Sequence, residues 1–308
     1  MLTAYITHPD CMRHEMGLHH PECAQRLSAI HDQLLVTGLL DYMVEHEAPP
    51  ATLEQLGRAH AMSYVTELFD AAPTAGHRQI DPDTSMNRFT LQAALRAAGA
   101  LVLATDLVVS GAAPNAFCNV RPPGHHALRA AAGGFCFFNN VAVGMRHALD
   151  VHGLQRVALI DFDVHHGNGS EDILAGDERV LMCSTFETGL YPFSGGEDRV
   201  ANMVNVGLAA RSGSEAFRAA VSERWLPALD DFAPQLVYVS AGFDGHREDD
   251  MGNLGLLEAD YAWVTQRIMD VAQRHCQGRV VSALEGGYVL SPLARSAAAH
   301  VKVLMGVS

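Results

Sequence analysis

Residues 161–169, Asp161-Phe162-Asp163-Val164-His165-His166-Gly167-Asn168-Gly169, directly follow the apolar run Val157-Ala158-Leu159-Ile160. On an extended backbone, residues two apart point the same way, so Asp163 and His165 face one point and Asp161 shares that face one step deeper. A lone D-x-H more often only caps the next helix. Here a second carboxylate, Asp244, arrives from Gly242-Phe243-Asp244 after another apolar run, and the set reads as metal ligands. Two carboxylates and one imidazole suit zinc, and also iron or manganese. Three protein ligands leave an open position, the catalytic pattern: such an ion polarises a carbonyl and acidifies water.

Two further motifs supply proton chemistry. Arg121-Pro122-Pro123-Gly124-His125-His126 sets tandem imidazoles after a rigid turn. They could be ligands, an acid–base pair or polar loop residues. With the ligand set already filled, acid–base work is favoured: one histidine takes a proton from water and one serves the leaving amine. Each needs a partner on its far nitrogen, and Asp161 and Asn168 are the candidates. Leu284-Glu285-Gly286-Gly287-Tyr288 puts a tyrosine after two glycines, either a core residue or a hydroxyl that donates to a developing oxyanion.

The elements that must position these groups are legible in the pattern. The motifs follow apolar runs without polar alternation, which read as parallel strands buried on both faces, so the motifs fall at carboxyl ends of strands, where open α/β sheets bind ligands. Strands are expected at 2–6, at the run 115–120, and at 156–162, 180–185, 203–206, 236–241 and 280–284. Helical patterns run over 21–37, 89–110, 138–152, 215–232, 258–275 and 292–305, the last with Ser291 as N-cap and Pro292 at its first position. This alternation predicts an α/β fold with a mostly parallel sheet between helices, in one domain over 1–308. The stretch 187–199 is the most loop-like and reads as an active-site loop.

Composition narrows the function. The 308 residues carry a formal charge of −14, which argues against nucleic-acid binding, and 48% are hydrophobic, enough for a sizeable core. The acidic balance serves solubility, or steers cationic substrates. Six cysteines form no CxxC pair, the N-terminus shows no signal peptide, and no run reaches 18 uninterrupted apolar residues. A cytoplasmic protein without a membrane span is the expectation.

Together, His20-Pro21-Glu22, Arg26, RPPGHH, GFCFFNN, DFDVHHGNG, SAGFDGH and LEGGY resemble the histone deacetylase family, with its acetoin-utilisation and acetylpolyamine amidohydrolase branches. The resemblance covers nearly the whole chain in order. It implies an arginase/deacetylase-like fold with a central eight-stranded parallel sheet, and zinc-dependent hydrolysis of acyl amides. By motif, Asp163, His165 and Asp244 would bind zinc, His126 would be the main base, His125 would be tied to Asp161, and Tyr288 would be the oxyanion donor. Phe135 and Tyr191 would line the channel for the substrate's methylene stem, with Arg26 near the exit for acetate. Asp161, Ser184 and the carbonyls of Asp163 and His165 resemble a site for a monovalent cation, potassium. Asn168 is a class II feature, since class I members have aspartate there; Ser184-Thr185-Phe186-Glu187 departs from the many relatives with histidine after the serine. Asp81 or Asp83 would touch the substrate backbone or serve only a loop. Residues 245–252 would form part of the rim, with Met251 where polyamine-selective relatives carry glutamate. The implied substrates are acyl-lysine peptides or proteins, or small acylated amines. A non-catalytic acyl-group binder and a two-manganese ureohydrolase are the competing functions; the full set of His125, His126 and Tyr288 opposes the first, and a ligand set for a single ion opposes the second.

Overall fold

The computed structural model describes residues 2–196 and 200–307. Its centre is one sheet of eight parallel strands. The chain enters it at β1 (Thr3–Thr7) and β2 (Met43–Glu47). A separate antiparallel hairpin, β3 (His77–Asp81) and β4 (Thr84–Asn87), comes next. The main sheet resumes with β5 (Asn115–Cys118), β6 (Val157–Asp161), β7 (Val180–Glu187), β8 (Met203–Leu208), β9 (Leu236–Ala241) and β10 (Val280–Leu284). The order across the sheet is β2-β1-β5-β10-β9-β6-β7-β8. The four strands that precede the chemical motifs, β5, β10, β9 and β6, are therefore consecutive neighbours at its middle. In register, Asp161 lies beside Ser240 on one side and Ser184 on the other.

Helices cover the sheet: α1 (Gln25–Val36), α2 (Leu53–Ala59), α3 (Met62–Ala71), α4 (Thr90–Val109), α5 (Asn140–Asp150), α6 (Asn168–Leu174), α7 (Ser214–Ala220), α8 (Leu226–Phe232), α9 (Glu258–Cys276) and α10 (Leu290–Leu304). Every residue of β5, β6, β7, β9 and β10 is buried, as their unbroken apolar runs require. By length and composition α4 could cross a membrane. Thirteen of its residues are buried in the fold, so it is a core helix here. All six cysteines are free thiols.

Several elements depart from the sequence reading. Strand β2 is an edge strand whose Val44, Glu45 and Glu47 face solvent, so it lacks the apolar run that marks the others. It completes the eight. Helix α1 starts at Gln25, not at residue 21, because Glu22 is drawn inward to Arg26 and Arg121. The pattern over 215–232 is α7 and α8 joined by a single π-turn, Val221–Trp225. The N-cap of α10 is Val289, not Ser291. Ser291 sits in the first turn and binds Arg295 (2.6 Å), while Pro292 is tolerated where the helical N–H has no intrahelical acceptor. Strand β7 runs through Glu187, so the loop begins at Thr188, and its residues 197–199 lie outside the described ones.

Candidate active site

The carboxyl ends of β6 and β9 bring Asp163, His165 and Asp244 together, all buried. His165 Nδ1 lies 3.1 Å from Asp163 Oδ1 and 3.3 Å from Asp244 Oδ2. Backbone N–H groups fix both carboxylates: Gly286 donates to Asp163 Oδ2 (2.8 Å), His165 to Asp163 Oδ1 (2.9 Å) and Val164 to Asp244 Oδ1 (2.9 Å). Asp244 Oδ2 accepts no hydrogen bond among the described residues. The strand ends can approach this closely only because two glycines face them. A Cβ on Gly286 would lie 1.9 Å from Asp244 Oδ2, and one on Gly242 would lie 2.1 Å from Asp163 Oδ2.

The electrostatics of this cluster fit a cation. Burial and the neighbouring Asp163 push Asp244 up to about 7. Burial opposes a charged His165, yet Asp163 and Asp244 outweigh it and push that imidazole up to about 10. Two buried carboxylates demand positive charge between them, and a divalent ion meets the demand while leaving the imidazole neutral as a ligand. The orphaned Asp244 oxygen and the nitrogen–oxygen–oxygen donor set suit zinc.

The tandem histidines follow β5, with ring centroids 4.0 Å apart. They have different partners. His125 Nδ1 donates to Asp161 Oδ2 at 3.0 Å, and His126 Nδ1 donates to Asn168 Oδ1 at 2.8 Å. Both therefore present Nε2 to the site. The partners divide their charge states. Burial works against a charged His125, but Asp163 and Asp161 hold it well above the usual histidine range. Burial, with His125 and His165 beside it, holds His126 well below that range, and a neutral amide offsets little of this.

Tyr288 follows β10 and reaches the same place from the opposite side. Its ring meets Phe135 edge-on (5.9 Å), and the Arg26 guanidinium carbon lies 4.9 Å over its face. A channel of about 100 Å³ leads in, lined by Asp83, His126, Gly134, Phe135, His165, Tyr191, Met251 and Tyr288. Phe135 holds a left-handed backbone (φ 68°), rare for a bulky residue, and its N–H donates to Thr84 Oγ1 (2.9 Å) from the β3–β4 hairpin. Asp83 of that hairpin is on the channel wall. Of residues 245–252 Met251 lines the channel, whereas His246 and Asp249 turn inward and are buried.

Ser184 Oγ is buried beside Asp161 and has no hydrogen-bond partner among the described residues. Arg26 is fully buried; it donates to Gly287 O (2.6 Å), Glu285 O and Glu22 Oε1 (3.0 Å). Three contributors escaped the sequence reading. Glu285 Oε2 accepts the N–H groups of Gly124 (2.7 Å) and His125 (3.1 Å), so it fixes the histidine loop. Burial pushes that carboxyl up to about 7. Glu22 is the buried counter-ion of both Arg26 and Arg121. Asp249 accepts the Tyr288 N–H. Glu285 carried a signal, an acidic residue between an apolar run and two glycines, whereas Asp249 stands between Glu248 and Asp250 and reads as part of a solvated charge run.

The model of the histone deacetylase domain covers residues 20–304. The chain belongs to the histone deacetylase family. It is 38% identical over 294 residues to a histone deacetylase-like amidohydrolase of Pseudomonas aeruginosa, covering 93% of this chain and 76% of that one. It is 35% identical over 296 residues to a probable deacetylase of Archaeoglobus fulgidus (94% and 82%). Against the human polyamine deacetylase HDAC10 the identity is 35% over 328 residues, 99% of this chain but 48% of that longer one. The crystal structure of the HDA15 HD domain superposes with a TM-score of 0.93 at 32% identity, covering all of this chain and 89% of the other. The eight-stranded parallel sheet flanked by helices is thus the arginase/deacetylase fold of that family.

Proposed function

We propose that this protein is a zinc-dependent amide hydrolase that removes acetyl or similar acyl groups from lysine-type amines. The observation that carries the reading is the unequal partnering of His125 and His126 above a buried ligand set, at the foot of a narrow channel. Zinc held by Asp163, His165 and Asp244 would polarise the scissile carbonyl and acidify water. His126 is neutral, its Nδ1–H is committed to Asn168, and its Nε2 lone pair takes the proton of the attacking water. His125, kept cationic by Asp161, gives its Nε2 proton to the departing amine. Tyr288 donates its hydroxyl hydrogen to the developing oxyanion, and burial beside Asp244 holds it protonated by pushing its pKa well above the ordinary value. Phe135 and Tyr191 enclose the methylene stem. Ser184 and Asp161, with the Asp163 and His165 carbonyls, would hold a potassium ion. Arg26 lies behind Tyr288, on the side where acetate would leave.

Met251 favours acyl-lysine over acylpolyamine substrates. A methionine on the channel wall offers adaptable apolar contact and nothing to a second ammonium group. The protein's overall negative charge favours polyamines, but it is screened beyond about 8 Å at physiological salt. The test is a screen of zinc-loaded protein against acetyl-lysine peptides, longer acyl-lysines, acetylputrescine and acetylspermidine. Acetyl-lysine peptides should give the higher kcat/KM, and Met251→Glu should move the preference towards polyamines. Faster polyamine turnover than that of every peptide would overturn this assignment.

A further inference from the structure

The loop between β9 and α9 holds a buried carboxylate that the chemistry above does not use. Asp249 is 6% exposed. Its Oδ1 accepts the Met251 N–H (3.0 Å), and its Oδ2 accepts those of Tyr288 (2.7 Å) and Val289 (3.0 Å). One side chain thereby joins two loops that follow the neighbouring strands β9 and β10. Both loops contribute to the channel, through Met251 and Tyr288. Val289, the N-cap of α10, has no capping side chain of its own, so Asp249 also meets that helix's unsatisfied N–H.

This anchor matters because of what precedes the tyrosine. Gly286 and Gly287 are required by close packing, and Gly287 has a φ of 113°. A glycine pair leaves the backbone free to wander, so the hydroxyl position depends on what holds the segment. Arg26 holds it from one side through the Gly287 carbonyl (2.6 Å). Asp249 holds it from the other through the Tyr288 and Val289 amides. An asparagine could not replace it: its single oxygen would serve one loop and turn an NH2 towards the donors of the other.

We propose that Asp249 is a positioning residue that sets the Tyr288 hydroxyl at the reacting carbonyl and registers it against the Met251 wall, acting through backbone amides without touching substrate. The proposal rests on the amide-hydrolase reading. Its test is a double-mutant cycle on zinc-loaded full-length protein with an acetyl-lysine peptide, using Asp249→Asn, Tyr288→Phe and the pair. Asp249→Asn should lower kcat by about tenfold or more, since small misplacements of a catalytic group are costly, with zinc content unchanged and KM altered less than kcat. In the Tyr288→Phe background it should lower kcat by no more than about twofold, because the hydroxyl it positions is gone. Amide hydrogen exchange at Tyr288 and Val289 should accelerate in Asp249→Asn, a readout that needs no turnover. Effects that multiply, loss of zinc on Asp249→Asn, or unchanged exchange would each overturn the proposal. If Asp249→Asn does not fold, Asp249→Ser replaces it in the same cycle. Inactivity of the parent on every amide would instead defeat the hydrolase reading, and the exchange arm would still decide the anchoring.

Discussion

Two groups of aspartate and histidine converge in the described structure: Asp163, His165 and Asp244 at the centre of the sheet, and Asp106, His147 and His152 where the ends of α4 and α5 meet. In the second, His147 and His152 both direct Nε2 at Asp106 Oδ1, at 2.8 and 2.7 Å. Those are lengths of direct hydrogen bonds. Arg58 Nη1 lies 3.3 Å from His147 Nδ1, and a guanidinium only donates, so the His147 proton sits on Nε2, where a metal would have to bind. Asp106 is 49% exposed. In the first group His165 Nδ1 bonds Asp163 Oδ1 at 3.1 Å and lies 3.3 Å from Asp244 Oδ2, the three residues are buried, and backbone N–H groups occupy Asp163 Oδ2 and Asp244 Oδ1. Similar residue types thus make a staple in one place and the proposed ion site in the other. What differs is burial and the one carboxylate oxygen, Asp244 Oδ2, that no hydrogen bond occupies among the described residues.

The largest expected effect tests that contrast directly. Asp163→Ala, His165→Ala or Asp244→Ala should each abolish deacylation and metal retention, because three ligands leave no redundancy. Asp106→Ala and His152→Ala should leave zinc content and kcat within about twofold of the parent, as expected for distant, independent sites. Metal analysis after gel filtration, with turnover on the same samples, checks both. A second zinc lost only in His152→Ala would break the comparison.

Tyr288→Phe comes next. It should lower kcat by about two to three orders of magnitude, in the range for removing an oxyanion donor, with zinc retained and KM little changed. An unchanged kcat would remove the tyrosine from the mechanism.

Asn168→Asp sharpens the reading of the two histidines. His126 must be neutral to accept a proton, so activity rises as pH increases through its pKa. That pKa is held low by burial and by the nearby His125 and His165, and a carboxylate in place of the Asn168 amide would raise it. The acidic limb of the kcat/KM profile should therefore move to higher pH. A profile that coincides with the parent's would uncouple the two side chains.

The smallest effect belongs to the staple. His152→Ala removes one hydrogen bond to a half-exposed carboxylate, worth roughly 0.5–1 kcal/mol of stability, measurable as a lower denaturation midpoint at unchanged m-value. A loss of several kcal/mol would show that the cluster does more than join two helix ends.

Much of this molecule is legible in its sequence because buried parallel strands have to be apolar without interruption. The bounds of β9 and β10 match the runs 236–241 and 280–284 residue for residue, and the motifs after them are the ones at the site. That Asp161 and Asn168 would partner the tandem histidines was also foreseeable, since an imidazole proposed to move protons needs its far nitrogen occupied; the family resemblance tied His125 to Asp161. Strand β2 was not legible, because an edge strand with exposed Glu45 and Glu47 carries no apolar signature. The N-cap of α10 was misplaced because its acceptor, Asp249, is 40 residues away in the chain.

The sequence alone therefore determined which groups are proposed to react, since their chemistry follows from side-chain type and from spacing of a few residues on a strand end. The tertiary structure alone decided what makes them a site. It set the order β5-β10-β9-β6 that gathers four motifs, and the two glycines that let carboxylates approach. It also turned Glu22, Asp249 and Glu285 inward, where each accepts the donors of another loop or helix. Whether a carboxylate is solvated or buried against backbone N–H groups depends on contacts between distant segments, and no local pattern in the chain encodes that.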